Sequence, residues 1–240
     1  MTRPAVKTRA AALLPALLLL SGCLFSPALY KSGAFSIDDW DTWTSWNDAF
    51  GTHEISGAGL CYSLGANQDD THDLPSGGRS PGLILSKGLT GGSWRAEVSP
   101  EFKVPAGGLK RFSFGVWLGG DAARPSLGSA SAALTLLVQR QNGPGQDYDA
   151  LLVSAPPAKN SPVNIPKETK TLRFERSGEA FAVSYSLDSK AFRQALRVES
   201  AAAAGAESQK FFVSRMSEGG PGGASAKFTS LKINGKETLR

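Results

Sequence analysis

The chain is predicted to be an all-β protein, and three observations carry that reading. Short apolar segments alternate with polar residues at a period of two, the rhythm of a half-buried strand. Clusters such as Pro75-Ser76-Gly77-Gly78, Pro105-Ala106-Gly107-Gly108, Asn142-Gly143-Pro144-Gly145 and Gly219-Gly220-Pro221-Gly222-Gly223 separate them, as turns joining many strands would. Only 201–206 invites a helix; its alanines favour one, but Gly205 limits it to a turn or two. Together these point to a sandwich or barrel.

The first 22 residues stand outside that domain. Arg3, Lys7 and Arg9 make a basic start without an acid, and 10–20 is an apolar run broken only by Pro15. This is the pattern of a secretory signal, about half the ~20 residues a membrane-spanning helix needs. Leu20-Ser21-Gly22-Cys23 resembles the bacterial lipobox. The resemblance implies cleavage before Cys23, a lipid thioether on its sulfur and a place in the bacterial cell envelope. Leu24 stands where an Asp would favour the inner membrane, so it implies the outer one. At ~0.8 kcal/mol per buried methylene, two or three acyl chains hold a protein at a membrane stably. The alternative is an ordinary signal peptide with a chance cysteine.

Residues 23–36 then read as the lipidated cysteine and a tether, and 37–240 as one domain. Without 1–22, the 26 Lys+Arg against 21 Asp+Glu become 23 against 21, a net of +2. No clustered basic face is present, so nucleic acid is excluded as a partner. With Cys23 taken by lipid, Cys61 is left alone, and no internal disulfide is expected. Cys61 reads as a small buried hydrophobe.

Strands are expected at 59–64, 82–87, 93–104, 111–119, 132–140, 149–154, 170–176, 180–187, 192–198, 209–216 and 226–234. In Leu172-Arg173-Phe174-Glu175 the apolar and charged residues take opposite faces. Phe181-Ala182-Val183-Ser184-Tyr185 alternates likewise, and Ser177-Gly178-Glu179 between the two predicts a hairpin. The run 172–178, then Phe181 to Asp188, then Phe192, resembles a hairpin of concanavalin A-like domains in their laminin-G-like and DUF1349-type branch. The closing Phe228-Thr229-Ser230-Leu231-Lys232-Ile233 is similar to the last strand of that group. Ser189 replaces its turn Gly and Phe192 its usual Trp. The resemblance implies a two-sheet antiparallel jelly-roll sandwich over about 37–236. Such folds host sugar-binding modules, glycosidases and structural domains alike.

Trp117 is the first candidate for a ligand platform. In 111–118 the residues Phe112, Phe114, Val116 and Leu118 share one face, and Trp117 shares the other with Arg111, Ser113 and Gly115. A flat ring among small polar neighbours suits a sugar. Arg95 and Gln139 oppose apolar neighbours in the same way, although Leu137 interrupts the polar face of its strand. The alternative is that Trp117 fills a second small core. Trp40, Trp43 and Trp46 read either as an aromatic binding edge or as an opening strand wedged into the sandwich. Trp94 reads as core.

Asp69, Asp70 and Asp73 are the densest hard-oxygen ligands and would suit a structural Ca²⁺, with a solvated acidic loop as the alternative. No other cofactor is expected. His53 and His72, with one cysteine, make no zinc site. Jelly-roll glucanases commonly carry Glu-x-Asp-x-x-Glu on one strand, and the chain lacks it. Glu97-Val98-Ser99-Pro100-Glu101 comes nearest, without the middle Asp and with a ladder-breaking Pro100. No nucleophile elbow, metalloprotease helix or phosphate-binding glycine loop is present. The sequence therefore predicts a lipid-anchored, non-catalytic glycan-binding sandwich. A structural or protein-binding envelope protein and a divergent glycoside hydrolase using Glu97 and Glu101 are the alternatives.

Overall fold

In the computed structural model the described residues are 34–37, 40–46, 52–56, 59–64, 82–85, 89–104, 110–119, 132–141, 148–155, 158–159, 162–217 and 223–238. They form strands β1 (Ala34–Ile37), β2 (Trp40–Trp46), β3 (Thr52–Ser56), β4 (Gly59–Leu64), β5 (Gly82–Leu85), β6 (Ser93–Lys103), β7 (Lys110–Gly119), β8 (Ala132–Gln141) and β9 (Tyr148–Ala155). Then come β10 (Ala158–Lys159), β11 (Val163–Pro166), β12 (Thr171–Ser177), β13 (Ala180–Ser186) and β14 (Arg193–Glu199). After a one-turn helix α1 (Ala201–Ala204) follow β15 (Ser208–Ser217), β16 (Ala224–Ile233) and β17 (Lys236–Glu237). Each expected strand is present, with ends displaced by at most two residues. β1 also takes in Ala34, Phe35 and Ser36 from the stretch read as tether.

The fold is a two-sheet antiparallel jelly-roll sandwich. A nine-stranded sheet runs β1-β2-β5-β15-β7-β8-β9-β10, with β11 also paired to β9. An eight-stranded sheet runs β14-β13-β12-β6-β16-β4-β3, with β17 on β16. The inward faces meet in one core. Phe112, Phe114, Val116 and Leu118 of β7 and Phe211 of β15 face Trp94, Ala96 and Val98 of β6, Phe174 of β12, Phe181 of β13 and Phe228 of β16. The rings meet edge-on: Phe114 lies 5.3 Å from Phe228 and 6.4 Å from Phe174, which lies 6.3 Å from Phe211. Each such pair adds about 0.5–1.5 kcal/mol beyond area burial.

Two arginines, Arg140 half-buried and Arg176 buried, close the ends of this core. At one end Arg140 lies over the Phe102 ring, 4.7 Å from its centre, and donates to both Asp149 oxygens and to Lys167 O. Burial holds the Asp149 carboxyl above its ordinary range, and Arg140 offsets only part of that rise. At the other end Arg176 donates to Gly178 O (2.9 Å), Gly91 O (3.2 Å) and Ala204 O (2.7 Å). It thereby ties the β12–β13 turn, the approach to β6 and α1 together. Ser200 caps α1, its hydroxyl accepting from Ala203 N at 3.1 Å.

Turn chemistry explains both hairpins around β13. Gly178 opens the two-residue loop with φ +63°, where tight hairpins need a residue free of a Cβ penalty. In the next turn Ser189 takes φ +63°, a left-handed conformation that favours glycine, and accepts from Thr171 Oγ1 at 2.9 Å. Asp188 Oδ1 accepts from Ala191 N, Lys190 N and Ser186 Oγ. These bonds hold its carboxyl below the usual range. Pro100 does not end β6. Opposite it a bulge in β16 shifts the register between Phe228 and Ser230, and pairing with β12 stops at Val98, so the missing N–H falls where the ladder is already broken.

Cys61 is buried on β4, at 8 % exposure. It is disulfide-bonded, which corrects the expectation of a lone thiol. Its partner lies outside the described residues.

Two glycines separate backbone strain from clash. A Cβ on Gly178 would meet nothing within 4 Å, whereas one on Gly115 would come within 2.1 Å of Leu136 O on the neighbouring strand. Gly178→Ala is expected to cost about 1 kcal/mol, the left-handed penalty alone. Gly115→Ala is expected to cost about 3 kcal/mol, at the upper end of overpacking. Urea unfolding of the two variants measures the order, and equal losses would contradict it.

Candidate functional site

Each sheet has a second face turned away from the core, and the two faces differ. On the nine-stranded sheet, register places Lys210, Trp117, Thr135 and Ser154 in one row across β15, β7, β8 and β9. The next row is Phe212, Gly115, Leu137 and Leu152, and the one after is Ser214, Ser113, Gln139 and Ala150. The middle row is apolar, and it decides the character of the face. Trp117 packs with Ala132, Leu137 and Phe212 in a second apolar cluster, with Leu152 against it.

Trp117 is therefore 1 % exposed, and the expectation of an open stacking platform is corrected. The physical reason is the residue that broke the alternation: Leu137, with Phe212, gives this face a small core of its own. Gln139 is buried too, and its Nε2 donates to Ser113 Oγ at 3.2 Å. Arg111 is tied to its cross-strand neighbour Gln141 through two hydrogen bonds of 3.2 and 3.0 Å. Two buried atoms of adjacent strands, Trp117 Nε1 and Thr135 Oγ1, find no hydrogen-bond partner among the described residues.

Arg95 does not join these three. It sits on β6, in the other sheet. There the outward face is open and forms a trough of about 600 Å³. Register builds it row by row. Arg197 of β14, Ala182 of β13, Glu175 of β12 and Arg95 of β6 are successive neighbours. Beside them run Gln194, Ser184, Arg173, Glu97 and, on β16, Lys232. The alternation that buries Phe174 and Val183 turns Glu175 and Ala182 outward. Ala180 and Ala182 make a low floor between taller polar walls.

Those walls are cross-linked. Arg95 Nε donates to Glu175 Oε1 at 2.7 Å, and Arg173 holds Glu97 Oε1 at 2.8 Å through Nε and Nη2. The Arg173 guanidinium also stacks 3.5 Å from the centre of the Phe192 ring, so Phe192 acts as a lid on a guanidinium, not as a free aromatic. At the far end Asn234 Oδ1 accepts from Arg95 N and Asn234 N donates to Arg95 O, both at 2.8 Å. Asn234 and Gly235 take positive φ there, which fixes the turn that closes the trough. The lining is thus dense in donors and acceptors that are already oriented, over a floor that leaves space.

Cys23 and the aspartates Asp69, Asp70 and Asp73 lie outside the described residues. Among the described residues no group of three or more His, Cys, Asp or Glu gathers to hold a metal. Among them, too, no helix is long and apolar enough to cross a membrane. Trp40, Trp43 and Trp46 lie on strand β2, between β1 and β5. Glu101 stands on β6 opposite Lys227, beyond the trough. Sequence reasoning found Arg95 and Glu97 but missed Arg197, Gln194, Glu175, Ala182 and Asn234. The alternation of 193–199 was legible. That β14 lies three strands from β6 was not.

No family model matches the sequence, and no curated protein does. Among solved structures, a legume lectin-like domain from Entamoeba histolytica superposes with a TM-score of 0.52 at 11 % identity, over 80 % of this chain and 88 % of that one. Alginate lyase A1-II′, a member of polysaccharide lyase family-7, gives 0.48 at 14 % identity, over 80 % and 85 %. The VIP36 exoplasmic/lumenal domain in its Ca²⁺/Man3GlcNAc-bound form gives 0.47 at 10 %, over 80 % and 84 %. At these identities the first likeness is one of fold, and the fold is concanavalin A-like.

The orphaned indole provides a test of the closed face. Trp117→Ala is expected to lower stability by about 3–5 kcal/mol. Trp117→Phe is expected to cost under about 1.5 kcal/mol, because the lost volume is offset by removal of an unpaired donor. Chemical denaturation measures both, and a loss of several kcal/mol in the Phe variant would show that the N–H is paired.

Proposed function

We propose that this protein is a lipid-anchored, non-catalytic glycan-binding protein of the bacterial cell envelope. The trough on the eight-stranded sheet is its binding site. The observation that carries the reading is the trough itself: about 600 Å³, within the range of small-ligand sites. It is walled by guanidinium, carboxylate and amide groups held in place by one another. Preorganised donors and acceptors suit a polyhydroxylated ligand, since each sugar hydroxyl both gives and takes a hydrogen bond, and ordered walls spare the cost of ordering on binding. The likeness of fold to a legume lectin-like domain supports the same reading. Glu97 and Glu175 both line the trough, and each is tied to an arginine of a neighbouring strand. That supports binding over glycoside hydrolysis, which needs one carboxyl to give a proton and a second to attack or to activate water.

Binding is tested on a glycan array with the detergent-solubilised full chain, with and without Ca²⁺. The Ca²⁺ arm tests Asp69, Asp70 and Asp73 as its ligands. Wild-type protein is expected to retain a defined subset of glycans. Ala182→Tyr, which raises the floor with a residue that strands accept, is expected to lose them at an unchanged Tm. Retention of no glycan would overturn the function in favour of a structural or protein-binding role, and undiminished binding by Ala182→Tyr would move the site elsewhere.

The anchor rests on Leu20-Ser21-Gly22-Cys23. The chain has two cysteines, so a thioether at Cys23 and an internal disulfide at Cys61 compete for one sulfur. Intact-mass analysis of protein from the membrane fraction separates them. The expected result is a chain beginning at Cys23 with diacylglycerol attached. An unlipidated chain needing reduction before alkylation would overturn the anchor.

A further inference from the structure

The charges of the trough do not cancel locally, and the imbalance points to the chemistry of the ligand. We propose that the glycan bound there is acidic, bearing a carboxylate, sulfate or phosphate group that docks on Arg197. The inference deepens the trough reading and rests on it.

The three other arginines around the trough are already engaged. Arg95 is taken up by Glu175, and Arg173 by Glu97. Lys232 stands opposite Glu97 on its other side. Arg176 spends its donors on three backbone carbonyls. Arg197 differs. Among the described residues its acidic partner is Glu199, two positions along the same edge strand, at 3.6 Å, with the side chains 56 % and 74 % exposed. An exposed pair at that distance contributes little and is readily exchanged for a better partner. Arg197 also stands directly across from Ala182. A methyl group beside a long cation leaves its guanidinium free to swing over the floor. Glu175, on the far side of Ala182, is turned toward Arg95 instead.

The result is a row that reads cation, gap, anion, cation from β14 to β6. A planar guanidinium beside a gap presents parallel N–H groups, the geometry that grips a two-oxygen anion. Gln194 beside it and Asn234 at the far end add uncharged donors and acceptors. Three strand intervals of ~4.8 Å put β14 and β6 ~14 Å apart, so a ligand anchored by its anionic group on Arg197 lies across the strands toward Asn234. A neutral glycan would leave Arg197 unused, and a cationic one would be repelled.

The test uses the full chain in detergent on matched ligands. These are uronate-, sulfate- and phosphate-bearing oligosaccharides beside their carboxyl-reduced, desulfated and dephosphorylated forms. Binding is expected to the charged members, at least about 10-fold tighter than to the neutral ones, and to weaken as NaCl rises. Arg197→Gln is expected to remove that preference. Arg193→Gln, on the same strand but opposite Tyr185, is expected to keep it. Equal affinity for charged and neutral members, or an unchanged preference in Arg197→Gln, would overturn the acidic ligand while leaving a glycan-binding trough intact. Binding to no member would overturn the trough reading itself.

Discussion

The register between β6, β12 and β13 is the constraint on which the rest depends. Phe174 stands opposite Ala96 on one side and Val183 on the other, and all three are buried. A strand has two faces, so that inward row dictates the outward one: Glu175 must fall between Arg95 and Ala182. A slip of one residue would send Phe174 into the trough and two charges into the core. The core therefore fixes the site without contributing an atom to it. Aromatic packing supplies the energy that holds the register, and the charged row is its geometric by-product.

Arg176 shows how the two are coupled at their shared edge. It lies in the core-facing row, opposite Trp94 and Phe181, and 5.6 Å from the Phe181 ring centre. A buried guanidinium there is costly unless its donors are satisfied. Three carbonyls from three different segments satisfy them. The same charge that would destabilise a plain core becomes the clasp that holds the hairpin turn against the start of β6, and so holds one end of the trough.

Much of the fold was legible from the residues because alternation is local. Strand 172–176 and strand 181–185 declare their faces within five residues, and Gly178 declares the turn between them. Sheet order is not local. Nothing in 93–103 says that β12 will lie on one side and β16 on the other, because hydrogen-bonded ladders carry no sequence signature of their partner. Hence Arg95 was grouped with Trp117, although they belong to different sheets, and Arg197 was overlooked although its strand was found. The short β10, β11 and β17 were missed for a related reason: two to four residues cannot show a period.

Trp117 illustrates a limit of reading polarity from one strand alone. Its own strand offers Arg111, Ser113 and Gly115 on the same face, which suggests an open polar surface. The neighbours across the ladder are Phe212 and Leu137 around Gly115, and they convert that surface into a small core. The face of a sheet is a two-dimensional object, and its solvent contact depends on the row as much as the column. On the nine-stranded sheet an apolar row crosses the columns and closes the face around Trp117. On the eight-stranded sheet each outward row of the trough contains a charge, and alanine or serine at its β13 position. Neither satisfies the conditions for a second core, and that side of the sandwich stays open to a ligand.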